Sequence, residues 1–140
     1  MNKKTPTKGF DLADLKPTSE VIEVPLVHPA NGDPLMVEDK QMNIVIYAPH
    51  SKVYKQAQHD EVNKRIKAAQ RGKKNSFTSE EVEQSALELL AKITKEWFIV
   101  LGGETPQVTQ ANAITLYQDF PWIKTQVEEA IGDAVNFTKV

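Results

Sequence analysis

The sequence predicts an α+β fold: a small antiparallel N-terminal sheet of two or three strands, packed with about four helices. Three observations predict it. Residues 20–47 are rich in β-branched residues that alternate with polar ones, and they contain the turn signal Asn31-Gly32-Asp33-Pro34. Residues 50–137 instead space their apolar residues three and four apart, which is helical periodicity. The chain has 140 residues, 40% of them hydrophobic and 26% charged, so it can bury a core of its own.

Residues 1–19 carry lysines, threonines and two prolines without sustained periodicity. They are read as a flexible N-terminal arm ahead of a single domain over 20–140, β-rich over 20–47 and helical over 50–137. Glu20–Val24 begins a strand that Pro25 ends or confines to a sheet edge, because proline has no N–H to give to a ladder. Asn31-Gly32 accepts positive φ cheaply and turns the chain into the short apolar piece Leu35-Met36-Val37. Met42–Tyr47 is the strongest strand: Met42, Ile44 and Ile46 face one way, Asn43, Val45 and Tyr47 the other. Two strands alone are marginal, so helices must cover one face.

A helix over 50–71 follows Pro49. Its apolar stripe is thin (Val53, Ala57, Val62, Ile66 and Ala69), so much of its surface is solvated or meets a partner. Gly72 stops it. The spacing predicts a second helix over 79–99. Thr78 or Ser79 caps it, Glu80 and Glu81 lie at the positive end of its dipole, and Val82, Ala86, Leu89, Leu90, Ile93 and Trp97 form its stripe. Gly102-Gly103 is read as its stop. Thr109 caps a shorter helix through Leu116 and Tyr117. Pro121 suits the first turn of a final helix that runs to about Ala134, or to Phe137.

The composition excludes several kinds of chemistry. Without cysteine there is no disulfide, thiolate metal site or cysteine nucleophile. No apolar run approaches the roughly 20 residues of a membrane span. The N-terminus lacks the apolar stretch of a secretory signal, so a cytoplasmic protein is expected. No glycine-rich phosphate loop occurs. His28, His50 and His59 lack metal-ligand spacing. Ser51 adjoins His50, but neighbours on a helix point apart. The paired acids Glu80-Glu81 and Glu128-Glu129 are adjacent rather than facing. Neither a metal nor another cofactor is expected, nor is enzymatic activity.

The net charge is −2, yet residues 43–74 are strongly basic. Lys64, Arg65, Lys67 and Arg71 are candidates for a partner-facing group on the first helix, directed at an acidic protein or at nucleic acid. Tyr54 alone interleaves as an aromatic, which leaves bases without stacking platforms.

In the final segment Trp122, Gln126, Ala130, Asp133 and Phe137 fall four, four, three and four residues apart and share a helical face. Gln and Asp beside Trp and Phe are unusual in a plain core stripe, because buried they need partners. Ile123, Val127 and Ile131 form a second stripe that can pack on the domain. Phe120, Trp122, Gln126, Asp133 and Phe137 are therefore candidate protein-binding residues, with Phe120, Trp122 and Phe137 as aromatic anchors. The same aromatics also suit a small core, and the sequence leaves both readings open.

The stretch Asp119-Phe120-Pro121-Trp122, continued as W-x3-Q-x3-A-x2-D-x2-NF, resembles the C-terminal part of the tail assembly chaperones of tailed bacteriophages. His28-Pro29-Ala30-Asn31-Gly32-Asp33-Pro34-Leu35 resembles that family's HPATG-x-PL turn, with Asn31 where the family has Thr. The strand Met42–Tyr47, followed by Pro49-His50-Ser51 and a charged helix, is similar too. The resemblance covers about residues 20–137. It implies a binding protein of the host cytoplasm that keeps the tape measure protein soluble during tail morphogenesis and helps recruit tail tube protein. Some family members are also made as a longer frameshifted product. A minor structural subunit of the tail, self-associating into rings, is the alternative from another class. A nucleic-acid-binding regulator using residues 52–74 is a third.

Overall fold

The computed structural model describes residues 19–70 and 78–136. Residues 1–18 of the expected arm, Arg71, the expected helix stop Gly72, and Phe137 lie outside the described residues. The elements run β1 (Val21–Pro25), β2 (Met36–Val37), β3 (Lys40–Gln41), β4 (Asn43–Tyr47), α1 (Lys52–Gln70), α2 (Ser79–Ile93), β5 (Thr94–Phe98), α3 (Gln110–Asp119) and α4 (Pro121–Asn136). The architecture is the predicted α+β class: an antiparallel sheet in the order β1-β4-β5 with four helices, plus a small β2-β3 ribbon.

The alternation in β4 sets the sheet. Ile44 and Ile46 are fully buried, opposite Val24 and Ile22 of β1. Pro25 closes β1, which is an edge strand, so its missing N–H costs the ladder nothing. Gly32 sits at φ 76° in the predicted turn, and its N–H donates to the His28 carbonyl.

The third strand corrects the sequence reading. The helix expected over 79–99 ends at Ile93, and Thr94–Phe98 joins the sheet beside β4. The segment expected to be wholly helical thus supplies a strand. Ile46 pairs with Thr94 and Val45 with Glu96, so Lys95 is an extra, bulged residue. Thr94 and Trp97 both turn inward, three residues apart instead of two, and that spacing imitates a helix. Gly102-Gly103 is likewise not a helix stop. Both residues have positive φ, 63° and 84°, between the bridged residues Leu101 and Glu104, as a tight hairpin turn requires.

The buried face of α1 is also not the one expected. Tyr54, Ala57 and Glu61 are buried. Of the predicted stripe only Ala57 is; Val53, Val62 and Ile66 are 42%, 50% and 49% exposed, and Ala69 is exposed as well. Val82, predicted to begin the α2 stripe, is 50% exposed.

Capping follows the sequence closely. Thr78 and Glu81 form a reciprocal capping box at the start of α2. Thr109 caps α3 by accepting from the Asn112 N–H at 3.0 Å. Pro121 keeps Phe120 out of the helical region, at φ −127° and ψ 75°, so the chain turns a corner between α3 and α4 within one residue. Ile123 and Val127 then pack into a core shared with Leu26, Ile93, Leu116 and Tyr117. Among the described residues no helix is long and apolar enough to cross a membrane.

Candidate functional site

The Phe120 corner places two aromatic rings at one end of α4. The rings of Phe120 and Trp122 meet edge to face, 6.1 Å apart at 82°. Both are partly buried against the core. Their other sides line a cleft of about 380 Å³. Leu26, Ile99, Leu116 and Ile123 are buried residues of its wall. His28, Pro29 and Leu35 contribute from the turn after β1, with Met42 beside them and Val100 and Leu101 from the far end of β5. Leu101 is 48% exposed. An apolar concavity of this kind is what a protein surface offers to an apolar partner.

The turn after β1 is held to α4 by one side chain. Gln126 Nε2 donates to the Val27 carbonyl at 2.9 Å, and the Val27 N–H donates to Gln126 Oε1 at 3.1 Å. The amide acts as a short piece of ladder for a chain that has left the sheet. Leu26 is fixed from the other side, its carbonyl accepting from Gln41 Nε2 at 2.9 Å. His28 Nδ1 accepts from the Ala30 N–H and Asn31 Oδ1 from the Asp33 N–H, so the turn is stiffened by its own side chains.

The five predicted protein-binding residues therefore separate. Phe120 and Trp122 come together on the cleft. Gln126 lies behind it and is committed to Val27. Asp133 is exposed further along α4 and is not among the cleft residues. Phe137 lies outside the described residues. Of the predicted second stripe Ile123 and Val127 are buried and Ile131 is half-buried, while Trp122, Gln126 and Ala130 of the first are half-buried.

The predicted basic group is partly occupied within the fold. Lys64 pairs with Glu61 and Glu88, and Arg65 Nη2 donates to Ser85 Oγ at 3.4 Å. Lys67 is exposed, and Arg71 lies outside the described residues. Beneath them Glu61, 7% exposed, accepts from Ser85 Oγ at 2.8 Å and pairs with Lys92 at 3.0 Å. Burial pushes its carboxyl up, but the hydrogen bonds from Lys92 and Ser85 and the charges of Lys64 and Lys92 outweigh this and hold it below the ordinary carboxylate range. This network joins α1 to α2.

Sequence reasoning missed Leu26, Ile99, Val100 and Leu101 as cleft residues. A signal was present: an apolar run into Gly102-Gly103 is a hairpin signature, and it places Ile99–Leu101 at the end of a strand. Comparisons of the chain with protein-family models, with curated proteins and with solved structures return no match.

Proposed function

We propose that this chain is a tail assembly chaperone of a tailed bacteriophage. It acts in the host cytoplasm, binds the tape measure protein through the cleft beside Phe120 and Trp122, and helps recruit tail tube subunits. One observation carries the reading. Two of the three stretches that resemble the family, His28–Leu35 and the segment that begins at Asp119-Phe120, meet around one apolar cleft and are tied by Gln126 to Val27. A long helical client with apolar stripes aggregates unless covered, and an aromatic-edged cleft covers such a stripe by taking in its protruding side chains.

The test is co-expression with the tape measure protein of the same phage, followed by size-exclusion chromatography with light scattering. Co-elution with a client that precipitates when made alone supports the reading. A client that is soluble alone and does not co-elute defeats it. Ordered rings of this chain alone would instead mark a tail subunit, and binding to nucleic acid that falls steeply with salt would mark a regulator.

A further inference from the structure

Helix α1 presents a second surface, and none of the cleft's lining residues lies on it. Lys52, Lys55, His59, Val62, Ile66 and Ala69 succeed one another at steps of three, four, three, four and three residues. That is the a/d spacing of a coiled-coil seam, with apolar residues at three of its six positions. All six are exposed. The buried residues Tyr54, Ala57 and Glu61 lie roughly 140° around the helix from this line. Among the described residues the seam is therefore not part of the core.

Its composition is polarised. Towards the C-terminus of α1 it is apolar, with Val62 and Ile66 about half exposed. Towards the N-terminus it is cationic. Lys52 and Lys55 have no acidic partner among the described residues. The acids of α1 are engaged elsewhere: Glu61 is buried and paired, and Asp60 Oδ1 accepts from Gln56 Nε2 at 3.0 Å. Of the three exposed branched residues of α1, Val62 and Ile66 lie on this line and Val53 lies off it.

We propose that α1 docks an α-helix of another protein along this seam. That helix carries an apolar heptad opposite Val62, Ile66 and Ala69, and acidic residues opposite Lys52 and Lys55. Charge complementarity favours such a partner over a second copy of this chain. An antiparallel pair of α1 helices would set Lys55 against Ile66 and Lys52 against Ala69, and a parallel pair would set lysines against lysines. Neither arrangement supplies an acid. The seam is about 26 Å long, room for two to three heptads. The inference is independent of what occupies the cleft.

The probe is a labelled synthetic peptide of about three heptads, with leucine at a and d over one half and glutamate there over the other, made in both chain directions. A counterpart carries lysine in place of each glutamate. Binding to the full chain is followed by fluorescence anisotropy at low and high salt. The acidic peptide is expected to bind at least tenfold tighter than the lysine peptide, and to weaken with salt. Ile66→Glu, an exposed position that leaves the core intact, should lower its affinity about tenfold. The double change Lys52→Glu and Lys55→Glu should reverse the preference, a gain that a misfolded variant would not give. No binding, equal affinity for the two peptides, or an unreversed preference would overturn the proposal. Sedimentation of the chain alone covers the other occupant: a concentration-dependent dimer dissolved by Ile66→Glu would put a second copy on the seam and overturn the choice of partner.

Discussion

Gln126 and Val27 form a two-bond bridge across the fold: the side-chain amide of α4 gives and receives one hydrogen bond each with a single backbone residue beyond β1. Without it, a half-buried N–H and carbonyl lose their partners. Gln126→Ala is expected to cost about 1–2 kcal/mol in urea unfolding. Because the bridge holds the His28–Leu35 turn against α4, the variant should, if the proposed function holds, also weaken binding of the proposed client by more than its stability loss explains at temperatures where it stays folded. Client affinity unchanged in a destabilised protein would show that the turn's position does not matter to binding.

Trp122 and Ile123 are neighbours in sequence and both line the cleft, yet they should fail differently. Ile123 is 5% exposed and part of the core, so Ile123→Ala should cost about 2–5 kcal/mol. Trp122 is half-buried, with its ring edge to face on Phe120. Trp122→Ala should cost about 1–2 kcal/mol of stability and most of the client affinity. Thermal unfolding and co-elution measured on both variants separate the two effects. A Trp122 variant that still carries the client would remove the ring as an anchor.

The existence of four helices and of the leading strands is legible from local signals: Thr78 and Thr109 cap where a capping residue precedes a helical run, and Pro121 starts α4. The third strand was hidden by its bulge at Lys95, which puts Thr94 and Trp97 at helical spacing and so prolongs the α2 pattern into β5. The buried face of α1 was hidden because one of its three buried residues is a glutamate, and a stripe count by hydrophobicity passes over it. The cleft depends on both features of long range: it needs β5 to deliver Ile99–Leu101, and it needs Gln126 to bring in a turn from the other end of the chain. Local pattern reports neither.

Glu61 joins α1 to α2 through Ser85 and Lys92, with Lys64 of its own helix beside it. Its folded carboxyl titrates below the ordinary range, so its contribution is present above the unfolded pKa and disappears as pH falls through the folded one. Glu61→Gln should therefore lower stability near pH 7 by about 2 kcal/mol. The gap between wild type and variant should close below about pH 4, where the unfolded carboxyl is protonated and then the folded one. Urea midpoints measured from pH 7 to pH 3 check this. A gap that persists at pH 3 would mean that the carboxylate's charge is not what joins the helices.

Tyr117 supplies the opposite pH signature. Its side chain is 1% exposed, and its hydroxyl lies 2.7 Å from Thr94 Oγ1. Thr94 Oγ1 already donates its one hydrogen to the Leu90 carbonyl at 2.7 Å, so the phenol is the donor. Burial pushes the phenol up to about 12. A folded value raised above the unfolded one contributes stability that is complete below about pH 10 and is lost as pH rises through 12. A rise from about 10 to about 12 is worth on the order of 2–3 kcal/mol. Tyr117→Phe removes the titration together with the hydrogen bond. At pH 9 the variant should be less stable than wild type by about 1 kcal/mol. Between pH 10 and 12 wild type should lose stability more steeply than the variant, and the two should cross. Parallel decline of both proteins over that range would show that the Tyr117 phenol does not govern alkaline unfolding.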